Sequence, residues 1–400
     1  MIFLEKLFII LFKTKFIFKK PQKKDVLIYD KNLSEFILKY IKLRKVSILD
    51  TRFETINLYI LLQSIVKNKF KNLFLSYVVQ YIKSVDPKVV LTLTDTDLRF
   101  YQIKNKIKPI IKVISIQNGQ IGSRNYFELA KKEKNKKKLK LSCDYIFVAN
   151  KKIINHYKSI IKSNFAVIGS FKNNSIKVNN IQKKYFDNSK KKKIIFLSQF
   201  NPPKKKMSEN FFQHKNFNVT FNDFYSDDTK ILNLINEFCE NNKIKLFIKL
   251  RHKDKNFSLK ERNFFKKNLN FKKIHFIKKT KNKQSYETLD ASEITTFIDS
   301  FMGYESFARG NKVVSFSVRA KNIKIINSNF ADNFLPSTGF FWTNKKNRKS
   351  VYKILNNVLK TNYYSWQKIK KKYEDKVMIY DKDNKIFKNL INKILKEKVT

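Results

Sequence analysis

One segment of the chain concentrates residue types able to handle phosphate. It runs from Ile294 to Ser317 and reads ITTFIDSFMGYESFARGNKVVSFS. The apolar run ending at Ile298 predicts a strand, and Asp299 and Ser300 then stand at its carboxyl end. A helix is expected from there to about Arg309, closed by Gly310, with Val313 opening the next strand. Backbone N–H groups at a helix start carry partial positive charge and form a site for phosphate. The Ser300 hydroxyl either caps that helix or bonds a phosphate oxygen. Gly303 lets a diphosphate approach the first turn, and Glu305, one and a half turns in, is placed to accept from ribose hydroxyls. Plain capping explains Asp299 and Ser300 equally simply.

The glycines point the same way. There are six in 400 residues, so each survives a strong compositional bias. Gly119 and Gly122 lie in SIQNGQIGSR directly after a predicted strand, Gly169 follows another, and Gly303 and Gly310 bracket the helix above; Gly339 lies in a loop. Turns and caps are the ordinary alternative for any one of them.

The elements that must position these residues read as α/β. Short apolar runs alternate with helix-length stretches: residues 25–29, 45–49, 88–93, 111–116, 144–148 and 165–168, then 194–198, 245–250, 274–277, 294–298 and 313–316. Such runs predict parallel sheets covered on both faces. A helical region is expected over about 55–83. The organisation that follows is a basic apolar helix over 1–24, a Rossmann-like domain over 25–175, a polar linker over 176–193, a second Rossmann-like domain over 194–345 and helices over 346–400. Ligands in such folds bind beyond the carboxyl ends of strands, so two domains facing across a cleft are expected.

Composition narrows the partners. The formal net charge is +54, from 86 Lys and Arg against 32 Asp and Glu. Lysine is spread along the whole chain with Asn, Ile and Phe, the pattern of an AT-rich coding bias. No zinc-finger spacing or aromatic RNA-binding signature accompanies it, so no nucleic-acid partner is expected. The charge does favour an anionic membrane surface and polyanionic substrates. Two cysteines without CxxC and four scattered histidines imply no disulfide framework, no thiolate zinc site and no metal. In the first 20 residues the longest uncharged run is Leu7 to Phe12, short of the roughly 20 residues that span a bilayer. Either an interfacial helix or a packed first helix fits, and a cytoplasmic protein, peripheral on the membrane, is expected.

The array Asp299-Ser300-x-x-Gly303-Tyr304-Glu305-Ser306-x-Ala308-x-Gly310, followed by a Val-rich strand, resembles the donor-nucleotide segment of GT-B glycosyltransferases of the surface-carbohydrate and lipopolysaccharide type, and of the related CDP-glycerol glycerophosphotransferases. The resemblance extends to Lys249-Leu250-Arg251-His252-Lys253-Asp254, with Lys253 where such proteins often have proline. In the first half it takes in Leu91 to Asp97 and Ile116-Gln117-Asn118-Gly119. It implies transfer of a sugar from a nucleotide-sugar donor to a glycan or lipid-linked acceptor, with no cofactor and no bound metal. Arg251, His252 and the Ser300–Gly303 helix start would then stabilise the leaving phosphate, and Asp95 or Asp97 would act as general base. His252 is an alternative proton acceptor, and Gln117 and Asn118 would bond substrate hydroxyls. Turns and caps remain open for Asp95, Asp97, Gln117 and Asn118. Transfer of a CDP-linked polyol phosphate, epimerisation of a UDP-sugar, a basic nucleic-acid-binding protein and an inactive scaffold are the rival readings.

Overall fold

The computed structural model describes residues 14–396 except 53, 69–71, 120–122, 180–191, 204–209, 215–216, 279, 281 and 320–334. The expectations for residues 1–13 and for most of the 176–193 linker fall outside the described residues. The chain divides into two compact units, one holding the chain up to Gly119, Asn125–Ser175 and everything from Asp381, the other Gln120–Arg124 and Ile176–Tyr380.

In the first unit, β1 (Lys15–Ile17) pairs in parallel with β4 (Thr55–Asn57). That corrects two expectations: residues 15–17 are strand rather than part of a helix over 1–24, and the helical region begins only after Asn57. It continues as α2 (Leu58–Asn68) and α3 (Leu73–Val85), preceded in chain order by α1 (Ser34–Ile37). The main sheet contains β2 (Val26–Ile28), β3 (Val46–Ile48), β5 (Val89–Thr92), β6 (Lys112–Ile116), β7 (Ser142–Val148) and β8 (Lys162–Val167). Its order is β3-β2-β5-β6-β7-β8, all parallel, with α4 (Ser123–Lys136) and α5 (Ile154–Lys158) in the later crossovers and α6 (Phe171–Asn174) after β8. Strands buried on both faces need continuous apolar sequence, and Val26, Leu27 and Ile28 are all fully buried.

A helix from the far end of the chain, Lys385–Leu395, completes this unit. Its residues Phe387, Ile391 and Leu395 lie in the same core cluster as Ile28, Leu91 and Phe147. The Phe387 ring meets Phe171 edge-on at 4.8 Å, Phe147 at 5.8 Å and Tyr40 at 6.0 Å. Just before it, the Asn384 amide donates to the Tyr40 hydroxyl at 2.9 Å and to the Phe171 carbonyl at 2.8 Å. Residues 346–400 are therefore not one separate tail, because the last apolar helix face pairs with a core some 300 residues upstream.

The second unit has β9 (Lys193–Leu197), a hairpin of β10 (Asn210–His214) and β11 (Phe217–Thr220), α7 (Phe221–Asn241), β12 (Lys245–Lys249), α8 (Lys255–Asn268), β13 (His275–Ile277), α9 (Asn282–Asp290), β14 (Ile294–Phe297), α10 (Phe301–Ala308), β15 (Val313–Phe316), β16 (Trp342–Thr343), α11 (Arg348–Lys360) and α12 (Tyr363–Tyr373). The six-stranded sheet runs β13-β12-β9-β14-β15-β16, all parallel. In sequence order this is the 3-2-1-4-5-6 arrangement, whose direction reverses between β9 and β14. Both units are doubly wound, so the chain is an α/β protein with two Rossmann-like units. Behind α10, buried Arg309 forks onto Asp290 at 2.8 and 2.5 Å and also donates to the Ile176 and Lys177 carbonyls.

Truncating Phe387 to alanine removes a ring that is fully buried among three others. The expected cost is about 3–5 kcal/mol, read as an earlier urea midpoint for the first unit's transition. An unchanged midpoint would show that the final helix does not contribute to that core.

Candidate functional site

In a doubly wound sheet, the two loops leaving adjacent strands diverge where the strand order reverses, and the gap between them accepts ligands. In the second unit those loops follow β9, at Ser198-Gln199, and β14, at Asp299-Ser300. One buried guanidinium links them. Arg319, which follows β15 and is 4% exposed, donates to the Gln199 side-chain oxygen at 2.7 Å and to Asp299 at 3.4 Å. Its other edge forks onto Asp228 of α7 at 2.9 and 2.5 Å, and its plane lies 4.6 Å from the Phe224 ring centroid. Burial pushes the Asp228 carboxyl up, against the pull of Arg319. The Gln199 carbonyl in turn accepts from the Arg251 guanidinium at 2.9 Å. Gln199 therefore stands between the cationic tip of β12 and the start of α10, so the two places singled out in sequence share one network.

Arg251 and His252 are held in position by a buried carboxylate. Glu261 of α8 is fully buried and accepts the backbone N–H of Arg251 with both oxygens at 3.1 Å and that of His252 at 3.4 Å. Burial pushes its carboxyl up, while Ser198 and those amides favour the charged form. The Arg251 side chain stays exposed beyond its one bond. His252 Nε2 lies 2.9 Å from the Phe200 carbonyl. Only an N–H can satisfy a carbonyl there, so in the neutral ring Nδ1 carries the lone pair. Asp254 caps α8 by accepting from the Phe257 amide at 3.0 Å. The chain thus turns into its helix without a proline at position 253.

At the start of α10, Ser300 is the N-cap residue in extended conformation, and its hydroxyl makes no capping bond. The Gly303 amide is taken by the Ser300 carbonyl at 2.8 Å. Phe301 and Met302 come too early in the helix to have a carbonyl partner inside it. A half-exposed Asp299, 41% exposed, stands beside them.

Two residues in this segment do other work than expected. Glu305 is 1% exposed and accepts from the Tyr286 hydroxyl at 2.7 Å, so it faces α9 rather than a ligand. Gly303 is buried, and a Cβ there would overlap the Phe297 ring of β14. Its missing side chain serves close helix–strand packing rather than approach of a diphosphate.

The first-unit candidates also turn inward. Asp95 is 4% exposed. It accepts from the Tyr157 hydroxyl at 2.6 Å and from the Asn118 amide at 3.1 Å, so it pins a loop and has no free path to a substrate hydroxyl. Asp97 accepts from the Tyr29 hydroxyl at 2.9 Å and from Arg99 through a fork at 2.8 Å on each oxygen, plus the Arg99 amide at 3.0 Å. Neither carboxylate is poised as a general base. Gln117 is buried; its amide donates to the Gly119 carbonyl of its own loop and its oxygen accepts from the Ala149 amide just after β7, each at 2.9 Å. Asn118 is half-buried and Gly119 borders open space, so of this trio these two remain accessible.

Sequence reading missed Gln199, Asp228, Arg319 and Glu261. Arg319 sits after a Val-rich strand with no motif around it. Asp228 lies in an Asp-Asp pair inside α7, which begins at Phe221, whereas the apolar pattern predicts that helix only from about Thr229. Among the described residues, no group of three His, Cys, Asp or Glu is placed to hold a metal ion.

Two measurements follow. Arg319→Met leaves Asp228 buried alone and should cost about 3–5 kcal/mol in urea denaturation, whereas Arg251→Met, at an exposed side chain, should cost less than about 1 kcal/mol. Equal costs would contradict the network. Burial pushes the Asp95 carboxyl from 3.8 up to about 6, opposed by its bonds from Tyr157 and Asn118. The folded value lies above the unfolded one, so its stabilising contribution is present below about pH 4 and lost as pH rises through about 6. The stability of wild type relative to Asp95→Asn should fall across that window and stay level above it; a level difference throughout would contradict it.

Comparison with known proteins bears on the fold and the family. The solved structure of the wall teichoic acid polymerase TagF matches with a TM-score of 0.51 at 13% identity, over 94% of this chain and 90% of that one. A co-structure of S. aureus MnaA with UDP matches at 0.48 and 15% identity, over 94% and 97%. At such identities the TagF match speaks for the fold alone. No curated protein matches the chain. A family model described as "putative O-antigen biosynthesis protein" matches residues 114–395, which include the whole β9–β15 region and the returning final helix. The chain belongs to that O-antigen biosynthesis family.

Proposed function

We propose that this protein is a glycosyltransferase that moves a sugar from a nucleotide-sugar donor to a glycan or lipid-linked acceptor in surface-polysaccharide synthesis. The observation that carries the reading is the switch point of the second unit, where one polar network ties Arg251 through Gln199 and Arg319 to Asp299, the residue before the uncapped Ser300 and the first amides of α10. Family membership supports the pathway class, and the two-unit fold supports a transferase.

When a glycosidic bond to phosphate breaks, negative charge grows on the departing phosphate oxygens. Donors already in place lower that barrier because they need not reorganise during the step. Arg251 supplies a permanent cation and α10 supplies aligned N–H dipoles. Ser300 adds a hydroxyl that can donate, while the Arg319–Asp228 fork keeps both loops at fixed spacing. His252 Nδ1 is the proton acceptor left among the three catalytic candidates, since Asp95 and Asp97 have their oxygens occupied. A donor site built this way works without a resident metal or cofactor. The acceptor would be presented at the inner face of a membrane, with the enzyme bound peripherally. No described helix is long and apolar enough to cross one.

The test is a calorimetric titration of the full chain with UDP, GDP, CDP and CMP. One nucleoside diphosphate should bind, and Ser300→Ala and Arg251→Ala should each raise its Kd about fivefold to fiftyfold, the effect of one lost charge-assisted bond. Urea stability should change by less than about 1 kcal/mol in either. If both variants bind like wild type, the phosphate lies elsewhere; tightest binding of CMP and CDP would favour transfer of a polyol phosphate.

A further inference from the structure

The amino-terminal edge of the first unit's sheet carries a surface that the proposed chemistry does not use. Two grooves open there. One, ≈ 750 Å³, lies between the starts of β5 and β6 and the final helix, and has an apolar floor that includes Tyr145, Leu390 and Ile394. The other, ≈ 990 Å³, lies at the starts of β7 and β8. Together they are lined by ten lysines and two aspartates. The whole chain carries 86 basic against 32 acidic residues, so these two linings are more one-sided than the chain as a whole; Asp25, at the same edge, pairs with Lys88 at 3.0 Å. Both aspartates are already neutralised, Asp86 by Lys108 at 2.8 Å and Asp144 by Lys104 at 2.8 Å. Lys140, Lys158, Lys162 and Lys393 are exposed, and their ammonium groups form no ion pair among the described residues.

An apolar tip projects from the same edge. The loop into β6 exposes Lys106, Lys108, Pro109 and Ile110, and Ile110 is 80% exposed. An isoleucine held in water beside cations gains by entering an interface where headgroup phosphates meet acyl chains. A polyanion in solution would match the lysines but not the isoleucine or the apolar floor. All six strands are parallel, so this edge faces away from the carboxyl ends where Asn118 and Gly119 lie.

We infer that this edge is a docking face for an anionic phospholipid bilayer, with lysines on the phosphates and Ile110 entering the interface. This deepens the membrane side of the proposed function and rests on that reading only for its purpose. Vesicle binding is measured without nucleotide, so the two can fail separately.

The experiment is flotation of the full chain with vesicles of phosphatidylcholine alone or mixed with phosphatidylglycerol. Binding should require the anionic lipid and weaken with salt. The triple change Lys140→Glu, Lys158→Glu, Lys162→Glu should lower vesicle affinity at least about tenfold relative to a control of equal charge, Lys260→Glu, Lys266→Glu, Lys267→Glu, on the second unit. Ile110→Ser should lower it severalfold with no change in charge. Equal losses in both triples would show attraction by overall charge and overturn the assignment. So would indifference to Ile110, absence of binding to anionic vesicles, or equal sensitivity of heparin binding to all these changes.

Discussion

A single buried guanidinium sets the spacing on which the candidate site depends. Arg319 spans from α7 to the loops after β9 and β14, and no other described side chain bonds all three of Asp228, Gln199 and Asp299. Its charge is out of water, so it must be matched at close range, and the fork onto Asp228 does this. A buried pair of this kind is a weak source of net stability. Its value here is geometric, since it fixes the two loops that diverge at the switch point and leaves Ser300 and the first turn of α10 available between them.

The two units use polar residues at their strand ends in opposite ways. In the first unit the carboxylates are consumed internally: Asp95 holds the Asn118 amide and the Tyr157 hydroxyl, and Asp97 is clamped by Arg99 and Tyr29. They shape loops. In the second unit Arg251 and Ser300 keep capacity that the fold does not use, and Glu261 spends a buried carboxylate on holding the Arg251–His252 turn in place. Spare hydrogen-bonding capacity, more than residue type, separates a site from its scaffold.

Much of the architecture was legible because a parallel sheet demands continuous apolar runs. The segments around Val89–Thr92, Lys112–Ile116, Lys193–Leu197, Lys245–Lys249 and Ile294–Phe297 stand out for that reason. The short parallel pair Lys15–Ile17 with Thr55–Asn57 did not, because three residues cannot show a period. The return of Lys385–Leu395 to the first unit is a tertiary event with no local signal. At the site, the strand–Asp-Ser–helix pattern located α10 but not its orientation. Every residue from Gly303 to Ala308 is buried, so no polar face marked Glu305 as pointing inward to Tyr286. Arg319 was invisible because its partners are 91 and 120 residues away.

The most direct measurement is amide hydrogen exchange across α10 with and without a saturating nucleoside diphosphate. If phosphate rests on the opening amides of that helix, exchange at residues 301 and 302 slows on binding, and the Arg251–His252 turn is protected with it. Protection confined to other segments, with the start of α10 exchanging as in the free protein, would contradict the account.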